Sequence, residues 1–211
     1  MTEPAIIIVI LGILSLGCWL LVRYYRRRRL LATLAYRLGF RFSAHHEPDL
    51  PARLAGLYLM QLGHARRAYH LIKGRRDELE LTAFDYCYET GLGRDHTTNH
   101  ASVVIWKTSR PLPSIVALRE NSFHPLGKFS SFVALPARNP DLDRYFTLYS
   151  DQPEKALSVL TDDLQRLLLH CQFVNWEFND RYIIFFADRL LSAPQLRRLL
   201  RRSLQIAKLL A

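Results

Sequence analysis

The sequence predicts an α+β chain: an N-terminal transmembrane helix, then one soluble domain of antiparallel sheet with packed helices. Three observations predict it. Residues 5–22 carry no charged side chain and give way at once to a cluster of arginines. Between Ala68 and Tyr149, apolar residues fall in short, strand-like runs set off by Gly and Pro. Beyond Asp151, leucines recur at helical spacing on both sides of a further strand-like stretch.

The first segment reads AIIIVILGILSLGCWLLV. Eighteen residues of helix rise about 27 Å, close to the roughly 30 Å of a bilayer's hydrocarbon core. At its far end stand Trp19, Tyr24 and Tyr25, whose amphipathic rings suit the headgroup layer. With them stand Arg23, Arg26, Arg27, Arg28 and Arg29, and cytoplasmic flanks are enriched in arginine. The other flank, Met1-Thr2-Glu3-Pro4, has no Lys or Arg, so the expected topology is N-terminus out and C-terminal domain in the cytoplasm. Residues 1–29 form the anchor with its basic flank, and residues 30–211 the cytoplasmic domain. A cleaved signal peptide needs a basic start and a small-residue exit; Glu3 and Trp19-Leu20-Leu21 supply neither. Leu16-Gly17-Cys18 suggests a lipoprotein signal, but the residues before that Gly and the non-basic start match poorly. A buried core helix fits badly with five arginines directly behind it.

Net charge is +10, and its location is informative. The five juxtamembrane arginines are one cluster; Arg197, Arg198, Arg201, Arg202 and Lys208 are a second. Setting both aside leaves 19 basic residues against 19 acidic ones. The charge is therefore not spread over a nucleic-acid-binding face, and no aromatic platform accompanies it. Cys18, Cys87 and Cys171 form no CxxC spacing, which argues against a disulfide framework or zinc knuckle.

The elements follow in order. Residues 30–38 continue the anchor as helix, ended by Gly39. Phe40-Arg41-Phe42 is extended. Residues 49–62 read as one helix, with Pro51 in its first turn and Leu54, Leu57, Tyr58 and Leu62 on one side. Residues 68–72 and 79–90 read as strands joined around residues 73–76. Residues 102–108 and 114–118 read as two strands separated by a Pro-Leu-Pro turn. Residues 120–144, with Gly127 and several prolines, hold one short strand at 132–135, and residues 145–149 another. A helix capped at Asp151-Gln152-Pro153-Glu154 carries Leu157, Leu160, Leu164, Leu167, Leu168 and Cys171. Residues 173–178 and 181–187 read as a hairpin across Asn179-Asp180. Ser192-Ala193-Pro194-Gln195 caps the last helix, with Leu196, Leu199, Leu200, Leu204 and Ala207 on one face.

The densest polar stretch is FDYCYETGLGRDHTTNH, residues 84–100. Strand alternation puts Leu79, Leu81 and Ala83 on one face with Asp85, Cys87 and Glu89, and Phe84, Tyr86 and Tyr88 on the other. If the first face is inward, Asp85 is a buried carboxylate in need of partners, and a base in a pocket, with His96 or His100, is the catalytic reading. A bulge near Ala83 that swaps the faces and leaves the acids in surface ion pairs is the structural reading, and the commoner one. On a strand His96 and His100 lie about 13 Å apart, too far to share a metal ion; a helix or the folded loop that Gly91 and Gly93 allow would bring them together, but no second cluster completes a site. No metal site or cofactor is implied. Gly91-Leu92-Gly93 lacks the Lys and following helix of a phosphate loop, and no GxSxG elbow occurs. The last helix sets Arg197, Arg198, Arg201 and Arg202 opposite its leucines. That pattern suits an ordinary core helix with a basic outer face, and also contact with anionic lipid or a partner.

At LGFRF (38–42), KGRR (73–76) and FDYCYETGLG (84–93) the chain resembles a loosely defined set of uncharacterised bacterial membrane-anchored proteins. They look alike in an N-terminal anchor, a GF-x-F start and an FDY-x-Y-x-TG strand. The resemblance covers most of the domain, implies a bacterial inner-membrane setting, and carries over no catalytic residue.

The leading expectation is a single-pass inner-membrane protein whose cytoplasmic α+β domain binds a protein partner. A membrane-tethered enzyme using Asp85 with His96 or His100 is the second, and a lipid-surface sensor using the C-terminal helix the third. Gly12 and Gly17 lack the four-residue spacing of a dimerising membrane helix, so the sequence fixes no oligomeric state.

Overall fold

The computed structural model describes the backbone of residues 3–119, 131–137 and 139–211, with side chains from residue 10 onward in those ranges. The expectations for residues 120–130, Gly127 among them, lie outside the described residues.

Helix α1, Glu3–Leu38, runs unbroken for 36 residues, straight through the expected boundary at residue 29. Its end is as the sequence predicts. Gly39 takes a left-handed φ of 75°, and Phe40 N–H reaches back to the Ala35 carbonyl at 2.9 Å. That pair of features satisfies carbonyls the last turn would otherwise leave open. Leu31, Leu34 and Ala35 are buried, so the second half of α1 belongs to the domain. Among the described residues, no helix is long and apolar enough to cross a membrane.

The rest is an antiparallel sheet with helices packed on it, as the sequence predicts. The strands are β1 (Arg41–Ser43), β2 (His64–Arg76), β3 (Leu79–Thr90), β4 (Thr97–Arg119), β5 (Val133–Leu135), β6 (Phe146–Ser150) and β7 (Asn175–Ala187). Among the described residues their order is β1-β2-β3-β4-β6-β5, with β7 also paired to β4. β4 is the spine. Its first half lies between β3 and the end of β7, and its second half between the start of β7 and β6.

Two expectations change here. Pro111 and Pro113 do not separate two strands; they lie within β4, a single strand of 23 residues. Asn179-Asp180 is not a hairpin turn. β7 runs on through it, antiparallel to β4, with Ile115 opposite Phe178 and Lys107 opposite Tyr182. The ladder shifts register on either side of Leu112, which faces Asp180, and Asp180 adopts φ 50°. Prolines cannot donate to a ladder, and the irregularity falls where they stand.

The sheet is buried on both faces. One apolar cluster holds Leu81, Ala83 and Trp106 with α1 and the C-terminal helices; the other holds Phe84, Tyr86 and Tyr88 with Leu54, Leu57 and Tyr58. The face-swapping bulge near Ala83 is therefore absent from the β3–β4 ladder, which is continuous from Glu80 opposite Lys107 to Thr90 opposite Thr97. Phe84, Tyr86 and Tyr88 on one side of β3 and Leu79, Leu81, Ala83 and Asp85 on the other are all buried because each face has its own layer of cover, while Cys87 and Glu89 at the end of the second set are only half-buried.

The helices are more broken than the periodicity suggests. Residues 49–62 form two short helices, α2 (Leu50–Arg53) and α3 (Tyr58–Gln61). Leu57 between them is extended, and Tyr58 N–H turns to the Glu177 carboxylate at 2.9 and 3.0 Å. After α4 (Pro140–Tyr145), the leucine stripe divides into α5 (Pro153–Val159) and α6 (Asp162–Leu169). Thr161 starts α6 afresh by accepting from Leu164 N–H, a local bond that competes with continuing the helix. Asp151 and Glu154 form no capping box, since Gln152 is the N-cap of α5 and makes no side-chain cap. α7, Ala193–Leu210, has its full box: Ser192 and Gln195 each cap the other's backbone N–H. It docks on the sheet through Leu196, Leu199, Leu200, Ile206 and a hydrogen bond from Trp106 Nε1 to Ser203 Oγ, 2.8 Å.

Candidate functional site

The polar centre of the protein lies where α1 meets the sheet. Asp85 on β3 is 2% exposed and points at α1, sharing a face with Leu81 and Ala83. Arg27 grips it with two parallel bonds, Nε to Oδ2 and Nη2 to Oδ1, both 2.6 Å. Arg27 also donates to the Leu191 carbonyl at 2.9 Å. Ser102, directly opposite Asp85 on β4, donates to Oδ1 at 3.2 Å and accepts from Leu191 N–H at 2.9 Å. One arginine thus ties α1 to β3 and to the segment entering α7.

The fourth member is His70, on β2. Between Tyr69 and Ile72 two residues of β2 oppose Phe84 alone, and His70 takes φ 55°. This bulge turns the imidazole inward, where Nδ1 lies 3.0 Å from Asp85 Oδ2. A carboxylate only accepts, so Nδ1 carries the proton of that bond. The ring is closed in by Tyr24, Phe42 and Tyr69, with centroids at 5.2, 6.2 and 5.0 Å. Nε2 is buried without a hydrogen-bond partner among the described residues.

Electrostatics make this a clasp rather than a base. Burial works against the charge on Asp85, but hydrogen bonds and charge from Arg27 and His70 outweigh it and hold the carboxyl below its usual range. A general base needs a higher proton affinity and a path to substrate. Asp85 has neither, since every approach is taken by Arg27, His70 and Ser102.

The histidines expected beside Asp85 lie elsewhere. His100, opposite Cys87, meets Tyr69 Oη at 3.3 Å. His96 follows a short 3-10 helix, Gly93–Asp95, and its Nε2 lies 3.0 Å from Glu89, which holds that carboxyl below its usual range. The pairing of Asp85 with His96 or His100 is not formed. Among the described residues no three of His, Cys, Asp and Glu converge to hold a metal ion. Sequence reasoning missed His70, and it assigned Arg27 to the membrane interface.

The second feature is a groove between α1 and α7. Its larger cavity, about 750 Å³, has Leu30, Leu34, Leu38, Ala193 and Pro194 as an apolar floor. Arg37, Arg197, Arg198, Arg201 and Arg202 form its walls. A second cavity of about 590 Å³ shares Leu30, Ala193 and Pro194 and continues toward the N-terminus of α1, past Arg23, Arg26 and Arg189 to Val22 and Trp19. Arg23 stacks over the Trp19 ring at 5.3 Å. No acidic side chain is among the described residues lining either cavity. Of the expected membrane-facing residues, Tyr25 is exposed, Tyr24 rests on His70, and Arg28 and Arg29 point away from the groove.

These features define a class: an antiparallel-sheet domain locked by a buried ion pair to the second half of one long helix. No family model matches the chain, and no curated protein matches it. Among solved structures, the chain is similar in fold to the mycobacterial trehalose monomycolate transport factor A, TtfA, with a TM-score of 0.64 at 16% identity. The match covers 89% of this chain and 94% of that one.

Proposed function

We propose that the chain is a single-pass protein of a bacterial inner membrane, with its N-terminus outside and a cytoplasmic α+β domain that binds and positions a partner rather than catalysing a reaction. The observation that carries this reading is the continuity of α1. The uncharged run of residues 5–22 leads without a break into a segment whose next turns are bolted to the domain by Arg27. Within that run, Leu11, Ile13, Leu14, Leu16 and Trp19 are each more than half exposed. A contiguous apolar surface of this kind requires cover, and hydrocarbon supplies it along an apolar run that ends in Trp19 and arginines. A binding role is further supported by the fold shared with a protein named as a transport factor, an analogy of architecture.

The test is topology and extraction. Alkaline carbonate should leave the full-length protein in the membrane pellet, and deleting residues 5–22 should release it. Alkaline phosphatase fused after Ala211 should be inactive, and a fluorescent protein there should glow. An active phosphatase fusion, or release of the intact chain by carbonate, would overturn the reading.

A further inference from the structure

We propose that the α1–α7 groove binds the headgroup of an anionic phospholipid, an inference that rests on the membrane reading above and names a ligand for it. Three features point to this chemistry. The first is helical register. Trp19, Arg23, Arg26, Leu30, Thr33 and Arg37 recur every three or four residues, so one stripe of α1 faces the groove along its whole length. α7 faces it with Pro194, Arg197, Arg198 and Arg201.

The second is unbalanced charge. Arg27 is spent on Asp85, and Arg202 donates to the His170 carbonyl. The remaining arginines of the two walls line the space with no acid among the described residues beside them. Like charges on facing helices repel, and a bound phosphate relieves the repulsion while accepting paired guanidinium bonds.

The third is the apolar floor. A free anion gains nothing from Leu30, which is 57% exposed, or from the half-buried Leu38 further along the floor. An amphiphile uses both surfaces. The groove's smaller cavity reaches Val22 and Trp19, where the uncharged run stops, so the groove begins at the level where a bilayer would present its headgroups.

The experiment is titration of the full-length protein, in a non-ionic detergent, with dihexanoyl phosphatidylglycerol, dihexanoyl phosphatidylcholine and inorganic phosphate, read by calorimetry. The anionic lipid should bind about tenfold more tightly than the zwitterionic one, and weaken as salt rises. Inorganic phosphate should not reach that affinity. The double variant Arg197→Gln/Arg201→Gln should lose about tenfold for the anionic lipid. Arg28→Gln/Arg29→Gln, which removes equal charge outside the groove, should lose little. Equal binding of the two lipids, phosphate binding as well as lipid, or equal losses in the two variants would each overturn the proposal. None of these outcomes touches the carbonate and fusion results, so a groove without lipid and a chain without an anchor are separate failures.

Discussion

Arg27→Ala is the most informative single change. It removes both bonds to Asp85 and the bond to the Leu191 carbonyl, leaving a carboxylate that is 2% exposed with His70 and Ser102 alone. Breaking a buried pair from one side costs about 3–5 kcal/mol, because the surviving charge stays desolvated. Arg27 itself is 19% exposed, so water reaches the vacated space and the lower end, about 3 kcal/mol, is expected. Asp85→Asn leaves Arg27 partly solvated and still bonded to Leu191; its cost should be nearer 1–2 kcal/mol. The double variant should cost less than the sum of the two, by on the order of 2 kcal/mol, as groups in direct contact do. Urea unfolding of the full-length protein in detergent, followed by fluorescence of the buried Trp106 and Trp176, reads all three. The same pair fixes a pH signature. A carboxyl held below its usual value stabilises the fold above the unfolded value near 3.8, and loses that contribution as pH falls further toward the folded value. The gap between wild type and Asp85→Asn should therefore be full above about pH 5 and shrink in stronger acid. A cost under about 1 kcal/mol for Arg27→Ala, or strict additivity, would refute the clasp.

Glu177 has the opposite sign. Burial pushes its carboxyl up from 4.5 to about 8 despite the Tyr58 N–H bonds, so its contribution is present below the unfolded value and is lost as pH rises from there to about 8. At about 1.4 kcal/mol per pH unit the ceiling is roughly 5 kcal/mol, and Glu177→Gln should flatten the stability profile across that window; an unchanged slope by urea unfolding would count against it. Ser203→Ala should cost about 1–3 kcal/mol by leaving Trp106 Nε1 buried without its acceptor; a neutral result would mean that α7 does not dock through that bond.

Much of the fold was legible because its signals are local. Gly39 as a helix stop, the Ser192–Gln195 box and the extent of β3 all follow from side chains within a few residues of one another. What was not legible depends on partners distant in sequence. The prolines at 111 and 113 read as a turn, yet β4 continues through them, paired with β3 and β7 before them, with β6 and β7 after them, and with Asp180 opposite Leu112 between. Asn179-Asp180 read as a hairpin, yet β7 has β4 beside it on both sides of that pair. His70 was invisible because its inward position is made by a bulge, which exists only once β2 and β3 are in register. Arg27 is different: its signal was present. Tyr24, Arg27, Leu31, Leu34, Ala35 and Leu38 recur at helical spacing as one stripe, with the arginine in the middle of it. The run of arginines around it masked that stripe, since a positive cluster behind an apolar segment already has a topological explanation.

The five arginines are one cluster in sequence and three in space. At 3.6 residues per turn, neighbours in a run are turned about 100° apart, so a contiguous basic patch cannot act as one surface. Arg27 lines the smaller cavity as well, but its guanidinium turns to the sheet and is neutralised by Asp85. Arg23 and Arg26 line the smaller cavity of the groove with Arg189, and the α7 arginines line the larger one with Arg37. Arg28 and Arg29 face neither. Net charge alone would treat all five as equivalent; helix phase separates one that holds the fold together from two that crowd positive charge into an apolar trough. Because the clasp sets the rotation of α1 about its own axis, it also sets which arginines line that trough. Weakening Arg27–Asp85 would then disturb the groove without changing a single groove residue, which makes the buried pair a determinant of the surface where a ligand would sit.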